Sequence, residues 1–175
     1  MQRIPFNKAA LDYQGHGGQK PINGERLLML LSPPMLEGIG RLGFAVLTGA
    51  KLDAQLRELA ILRNAHLSNC AYSFFHHSAV ASRAGLTAEK IAAVKGSLDA
   101  PLWSRAECAV LKFTDDIILN VRASDATLNE LRAVMSDTEV MELIVSVGSY
   151  MTLVRLIETA GIEIDVEPIA AGPVG

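Results

Sequence analysis

A thiol, a hydroxyl and an imidazole recur at Cys70, Ser73 and His77 within Leu56–Leu86, and a carboxylate, Glu58, precedes them. Offsets of three, four and seven residues put Cys70, Ser73 and His77 on one face of a helix. Such a row supports two chemistries. A thiolate can act as a nucleophile. An imidazole, whose ordinary pKa lies near neutrality, can move protons. With Ser68 or Asn69 as N-cap, Cys70 falls in the first helical turn, where unpaired N–H groups and the dipole favour a thiolate. Each residue also has a plainer reading. Cys70 packs as a small hydrophobe, Ser73 bonds back to its own helix, and Glu58 pairs with Arg57 or Arg63.

The elements that position these residues are legible as helices. Ser32 caps a helix opened by Pro33 and Pro34 and closed by Gly49. Leu52, Leu56, Leu59, Ile61 and Leu62 mark a second, capped by Asp53. A third starts near Ser68–Asn69 and ends at Gly85, and Thr87 opens a short fourth. Two capping boxes, Ser104/Glu107 and Ser136/Glu139, open helices reaching about Val121 and Thr159, the latter closed by Gly161. Between them Asp125 caps a helix through about Met135. Glu58 thus lies on a helix that a short turn joins antiparallel to the Cys70–His77 helix. Residues 1–22, with Pro5, Gly15, Gly17, Gly18 and Pro21, read as an irregular arm before a single domain over 23–175. The tail from Glu163 reads as extended. The expectation is an all-α bundle of about six to eight helices.

Composition bounds the partners. The chain has 175 residues, 50% of them hydrophobic, with a net charge of -3. That length suits one domain, and no basic run offers phosphates a patch, so no nucleic-acid partner is expected. No stretch of about 18 uncharged apolar residues stands out, so no membrane span is expected. Two cysteines and no apolar leader point to a reducing, cytoplasmic setting. Neither CxxC nor HExxH occurs, so no metal is expected, and no cofactor motif is present.

The segment resembles the carboxymuconolactone decarboxylase family, which includes the alkylhydroperoxidase D-like proteins. The family pattern is a Glu, eleven residues, then Cys-x-x-Cys-x-x-x-His. Here it reads Glu58, then Cys70-Ala-Tyr-Ser73-Phe-Phe-His76-His77. Leu56–Arg63, Ala84–Thr87, Ser124–Thr127 and Val147–Tyr150 with Arg155 extend the likeness over roughly residues 30–165. The second motif cysteine is Ser73, which cannot form the family's disulfide, and Cys108 is the one other thiol.

The resemblance implies Cys70 as nucleophile, Glu58 and His77 as proton relay, and Ser73 as a hydrogen-bond donor. Tyr72, His76, Tyr150 and Arg155 are candidates for substrate contact, Arg155 through a bidentate fork to a carboxylate. His76 points about 100° away from His77 and also suits packing. His66 and His16 read as surface residues. Three functions follow: a thiol-based hydroperoxide reductase using an external thiol; an acid–base enzyme on a small cyclic acid or lactone, centred on His77; and a non-catalytic oligomeric binding or redox-sensing module. The resemblance implies a homotrimer or homohexamer, and a mean hydropathy of +0.26 leaves apolar surface for an interface.

Overall fold

A computed structural model describes residues 2–15, 19–98 and 101–170. Among them nine helices and no strand occur: α1 (Lys8–Asp12), α2 (Asn23–Leu28), α3 (Pro33–Thr48), α4 (Ala54–Leu67), α5 (Ala71–Arg83), α6 (Ala88–Ala93), α7 (Arg105–Asn120), α8 (Asp125–Arg132) and α9 (Asp137–Ala160). The arm is therefore not wholly irregular. Asn7 caps α1 by accepting the Ala10 N–H, and such a single turn leaves little periodicity to read. His16, Gly17 and Gly18 lie outside the described residues, as does the end of the tail.

Most caps follow the sequence, but Ser32 precedes α3 without a side-chain cap bond. Asp53 accepts the N–H groups of Gln55 and Leu56 at the start of α4. Both capping boxes form, and Gly161 closes α9 in the left-handed conformation. Ser124 rather than Asp125 caps α8, because its hydroxyl reaches the Thr127 N–H and leaves Asp125 in the first turn beside the dipole.

Helix α4 is the spine of the bundle and packs on α5, α7 and α9. That explains why charged residues within it are buried: Arg57, Glu58, Arg63 and Asn64 all lie inside. Arg63 is satisfied by a two-pronged pair with Asp115 at 2.6 and 2.7 Å and by the Val94 carbonyl at 2.6 Å. The largest core cluster joins α4 and α7 to α8 and α9 through Ala60, Val110, Phe113, Leu131, Leu143 and Val147.

Helix α9 is the one described helix long and apolar enough to cross a membrane, and 33% of its most apolar window is buried inside the fold. Its Val140, Leu143, Val147, Val154 and Ile157 face inward. Its Met141, Ile144 and Val145 are exposed, as are Met35, Leu42 and Phe44 of α3.

The turn between α4 and α5 fixes the site. Asn69 adopts φ 51°, and the N–H groups of Asn69 and Cys70 return to the carbonyls of His66 and Ala65. This is a left-handed helix stop of the Schellman type. Cys70 therefore ends one helix and caps the next, outside the first turn of α5 where the sequence places it.

Candidate active site

Helix α5 presents Tyr72, Ser73, His76, His77 and Val80 to a cavity of about 210 Å³, roofed by α2 and walled by the outer half of α9. The lining is largely aliphatic, with Leu27, Leu47, Leu153 and Ile157 among the contributors. Polar groups gather along α5 and at Tyr150.

The antiparallel hairpin brings Glu58 beneath His77. The His77 Nδ1 lies 2.8 Å from Glu58 Oε2, and Glu58 is fully buried. A carboxylate can only accept, so Nδ1 carries the proton and donates it. In the neutral imidazole Nε2 then keeps its lone pair, and it has no protein partner among the described residues. Arg57 lies against the same carboxylate, with Nε 3.4 Å from Oε1. Its Nη1 donates to the Val46 carbonyl, and its buried Nη2 has no partner among the described residues. The Tyr150 ring meets His77 edge-on, with centroids 4.7 Å apart. Burial, and secondarily the charge of Glu58, push the Tyr150 phenol well above its ordinary value, so it stays protonated and can only donate or accept as a neutral hydroxyl.

Cys70 is placed differently from the expectation. It does not line the cavity but borders a separate groove with His66, Phe75 and Lys95. Its thiol is almost fully buried. Burial pushes it up to about 11, against a weaker downward pull from its bonds to Ser73, and the nearby Glu158 raises it further. The thiol donates to Ser73 Oγ across 3.3 Å. The hydrogen of Ser73 is thereby left for the cavity, where this residue, not the cysteine, faces the space. Cys108 is a free thiol in a different core cluster from Cys70.

Tyr72 and His76 are bound into an anchor for the C-terminal tail. The Tyr72 hydroxyl accepts the Gly24 N–H at 2.6 Å and donates to Asp165 at 2.7 Å. A Cβ on Gly24 would lie 3.1 Å from that hydroxyl, so glycine permits the approach. His76 uses both nitrogens. Nδ1 accepts the Ile169 N–H at 2.9 Å, so Nε2 carries the hydrogen that reaches Asp165 at 3.1 Å. Burial lowers its pKa despite the Asp165 charge. The tail so held places Ile169 and Ala170 in the cavity wall.

Arg155 does not reach the cavity. It is exposed, its Nη1 returns to the Met151 carbonyl, and it borders a shallow hollow with Ile4 and Leu31. The cation at the cavity is Arg83, at the far end of α5, which donates to the Ile169 carbonyl at 3.3 Å. Sequence reasoning missed Arg83, Asp165 and Ile169. His77 with Val80 and Arg83, three residues apart, was the available signal for the first. Among the described residues no group of three or more His, Cys, Asp or Glu is placed to hold a metal.

Residues 33–116 match the model of the carboxymuconolactone decarboxylase family. No curated protein matches the chain. Among solved structures, an Agrobacterium tumefaciens protein of unknown function, described as an antioxidant-defence AhpD candidate, is 25% identical with a TM-score of 0.72. That match covers 78% of this chain and 94% of the other. An uncharacterised peroxidase-related protein from Ralstonia eutropha, with an alkylhydroperoxidase AhpD core, reaches a TM-score of 0.77 at 17% identity over 94% and 93% of the two chains. The debrominase Bmp8 reaches 0.73 at 18% identity, over 83% and 78%, and a cysteine-to-alanine variant of that debrominase was solved with 2,3,4-tribromopyrrole.

Proposed function

We propose, for a chain whose residues 33–116 match the model of the carboxymuconolactone decarboxylase family, an acid–base enzyme that acts on a small organic molecule in the cavity beneath α2. The observation that carries this reading is the Glu58–His77 pair, with its bare Nε2 in an apolar cavity that the thiol does not enter. His77 takes a proton from substrate at Nε2. Glu58, fixed behind it, holds the tautomer and stabilises the imidazolium that forms. Ser73 and Tyr150, both neutral, donate to the oxygen on which negative charge grows. The aliphatic walls exclude water and strengthen those interactions. A lactone or small cyclic acid has the required proton next to a carbonyl.

Thiol chemistry at Cys70 finds less support. A thiol that burial holds at about 11 offers little thiolate to a peroxide. The AhpD likeness of the structural neighbours speaks for the fold rather than for that step.

The α3–α9 face, with Phe44, Leu42, Met141 and Val145 exposed, supports the accompanying proposal that the protein works as a homo-oligomer. The catalytic reading is tested by turnover of a panel of small lactones and cyclic acids. Cys70→Ser retains activity, and His77→Asn loses roughly 10²- to 10⁴-fold in kcat. Equal losses in the two variants would sink the reading.

A further inference from the structure

Charge is distributed along the cavity in a way that selects a substrate. One end holds proton-transfer chemistry at His77, Ser73 and Tyr150. The other ends at Arg83, the sole Lys or Arg among the described lining residues. Val80 lies between them, about one helical turn from each along α5, and offers nothing polar. The one acidic residue among the described lining, Glu25, accepts the Ile22 N–H at the start of α2, at 3.2 Å, at the end of the cavity near Tyr72. His76 has both nitrogens committed to the tail. Arg83 spends one donor on the Ile169 carbonyl, and a guanidinium has five.

We infer that Arg83 is the specificity-determining anchor for a substrate carboxylate. The substrate class is then a monocarboxylate with an apolar body, its carboxylate at the rim and its reacting carbon at His77. An anion cannot sit at the aliphatic middle of the cavity without losing its solvation. At the rim it keeps part of its water and gains a forked charge-assisted pair. The helix sets the ruler. Six residues separate His77 from Arg83, about 9 Å of axial rise, and the arginine leans back towards the helix N-terminus, shortening the reach to about 5–9 Å. Arg83 touches no reacting atom, so its effect falls on KM and on the choice of substrate.

This inference rests on the reading of the cavity as the reaction site, and its test uses binding alone. The probes are ω-phenylalkanoates from benzoate to 6-phenylhexanoate, each beside its neutral amide of the same shape, titrated calorimetrically into the full chain. Wild type prefers carboxylate over amide by roughly tenfold or more, most strongly at an intermediate chain length. Arg83→Met removes that preference while amide binding persists, and Arg83→Lys keeps part of it. If Arg83→Met weakens carboxylate and amide equally, Arg83 only fastens the tail and the inference is overturned. It is also overturned if wild type shows no preference or binds neither series. The acid–base reading fails on a different result, retained turnover by His77→Asn.

Discussion

Replacing Glu58 by Gln tests the buried pair at the centre of the account. The carboxylate is fully buried, and its neighbour Arg57 is 2% exposed. Two unit charges about 4 Å apart at an effective dielectric near 20 are coupled by about 4 kcal/mol. Removing one partner of a buried pair costs about 3–5 kcal/mol, because the other charge stays buried. The low end applies here, since the 3.4 Å contact is long and Arg57 keeps the Val46 carbonyl. About 3 kcal/mol in a domain of this size lowers Tm by roughly 6–12 °C. Calorimetry and urea unfolding measure the loss directly. Adding Arg57→Met to Glu58→Gln recovers about 1 kcal/mol or more relative to additivity, because the stranded cation is gone. Nitrogen-15 spectra of His77 supply the functional half: protonated Nδ1 in wild type, and a growing share of protonated Nε2 in Glu58→Gln, whose amide can donate to Nδ1. A Glu58→Gln protein within about 0.5 kcal/mol of wild type, with an unchanged tautomer, would refute the reasoning; such a shift is ordinary for an exposed site.

Two further outcomes follow from the same geometry. A thiol near 11 holds roughly 10⁻⁴ of its molecules as thiolate at pH 7, against about 3 in 100 for a free thiol; iodoacetamide should therefore label Cys70 at least about a hundredfold more slowly than free cysteine, and labelling at the free rate would disprove the burial argument. His76 is held neutral, with its folded value below 6.5, so the unfolded chain binds the extra proton. Its contribution is full above about pH 6.5 and declines as pH falls from there towards the folded value. Amide exchange at Ile169 should accelerate over that window in wild type and already be fast in Asp165→Asn; exchange indifferent to pH once its intrinsic dependence is removed would contradict the latch.

What the sequence makes legible is local. Capping boxes, Gly85 and Gly161 set helix limits within their own few residues, and the Glu58 and His77 spacing needs only a hairpin with a short turn to become a contact. The position of Cys70 turned on one backbone angle. Asn69 reads equally well as an N-cap or as the left-handed residue that stops the preceding helix, and the second choice moves the thiol out of the first turn. The tail anchor was beyond local reasoning. Tyr72 meets Asp165 across 93 residues and His76 meets Ile169 across 93, pairings that no periodicity encodes. Arg155 and Arg83 are alike in sequence, each towards the C-terminal end of its helix, and only the rotation of α9 and α5 in the bundle decides which one meets the cavity.

The most direct test of the central claim, that His77 and not Cys70 carries the chemistry, is hydroperoxide consumption by wild type and Cys70→Ser with a dithiol reductant, followed by intact mass. The account predicts slow consumption that is the same in both proteins, with Cys70 unmodified. Rapid consumption lost in Cys70→Ser, with a sulfenic acid or a Cys70–Cys108 bridge in the wild-type mass, would contradict it.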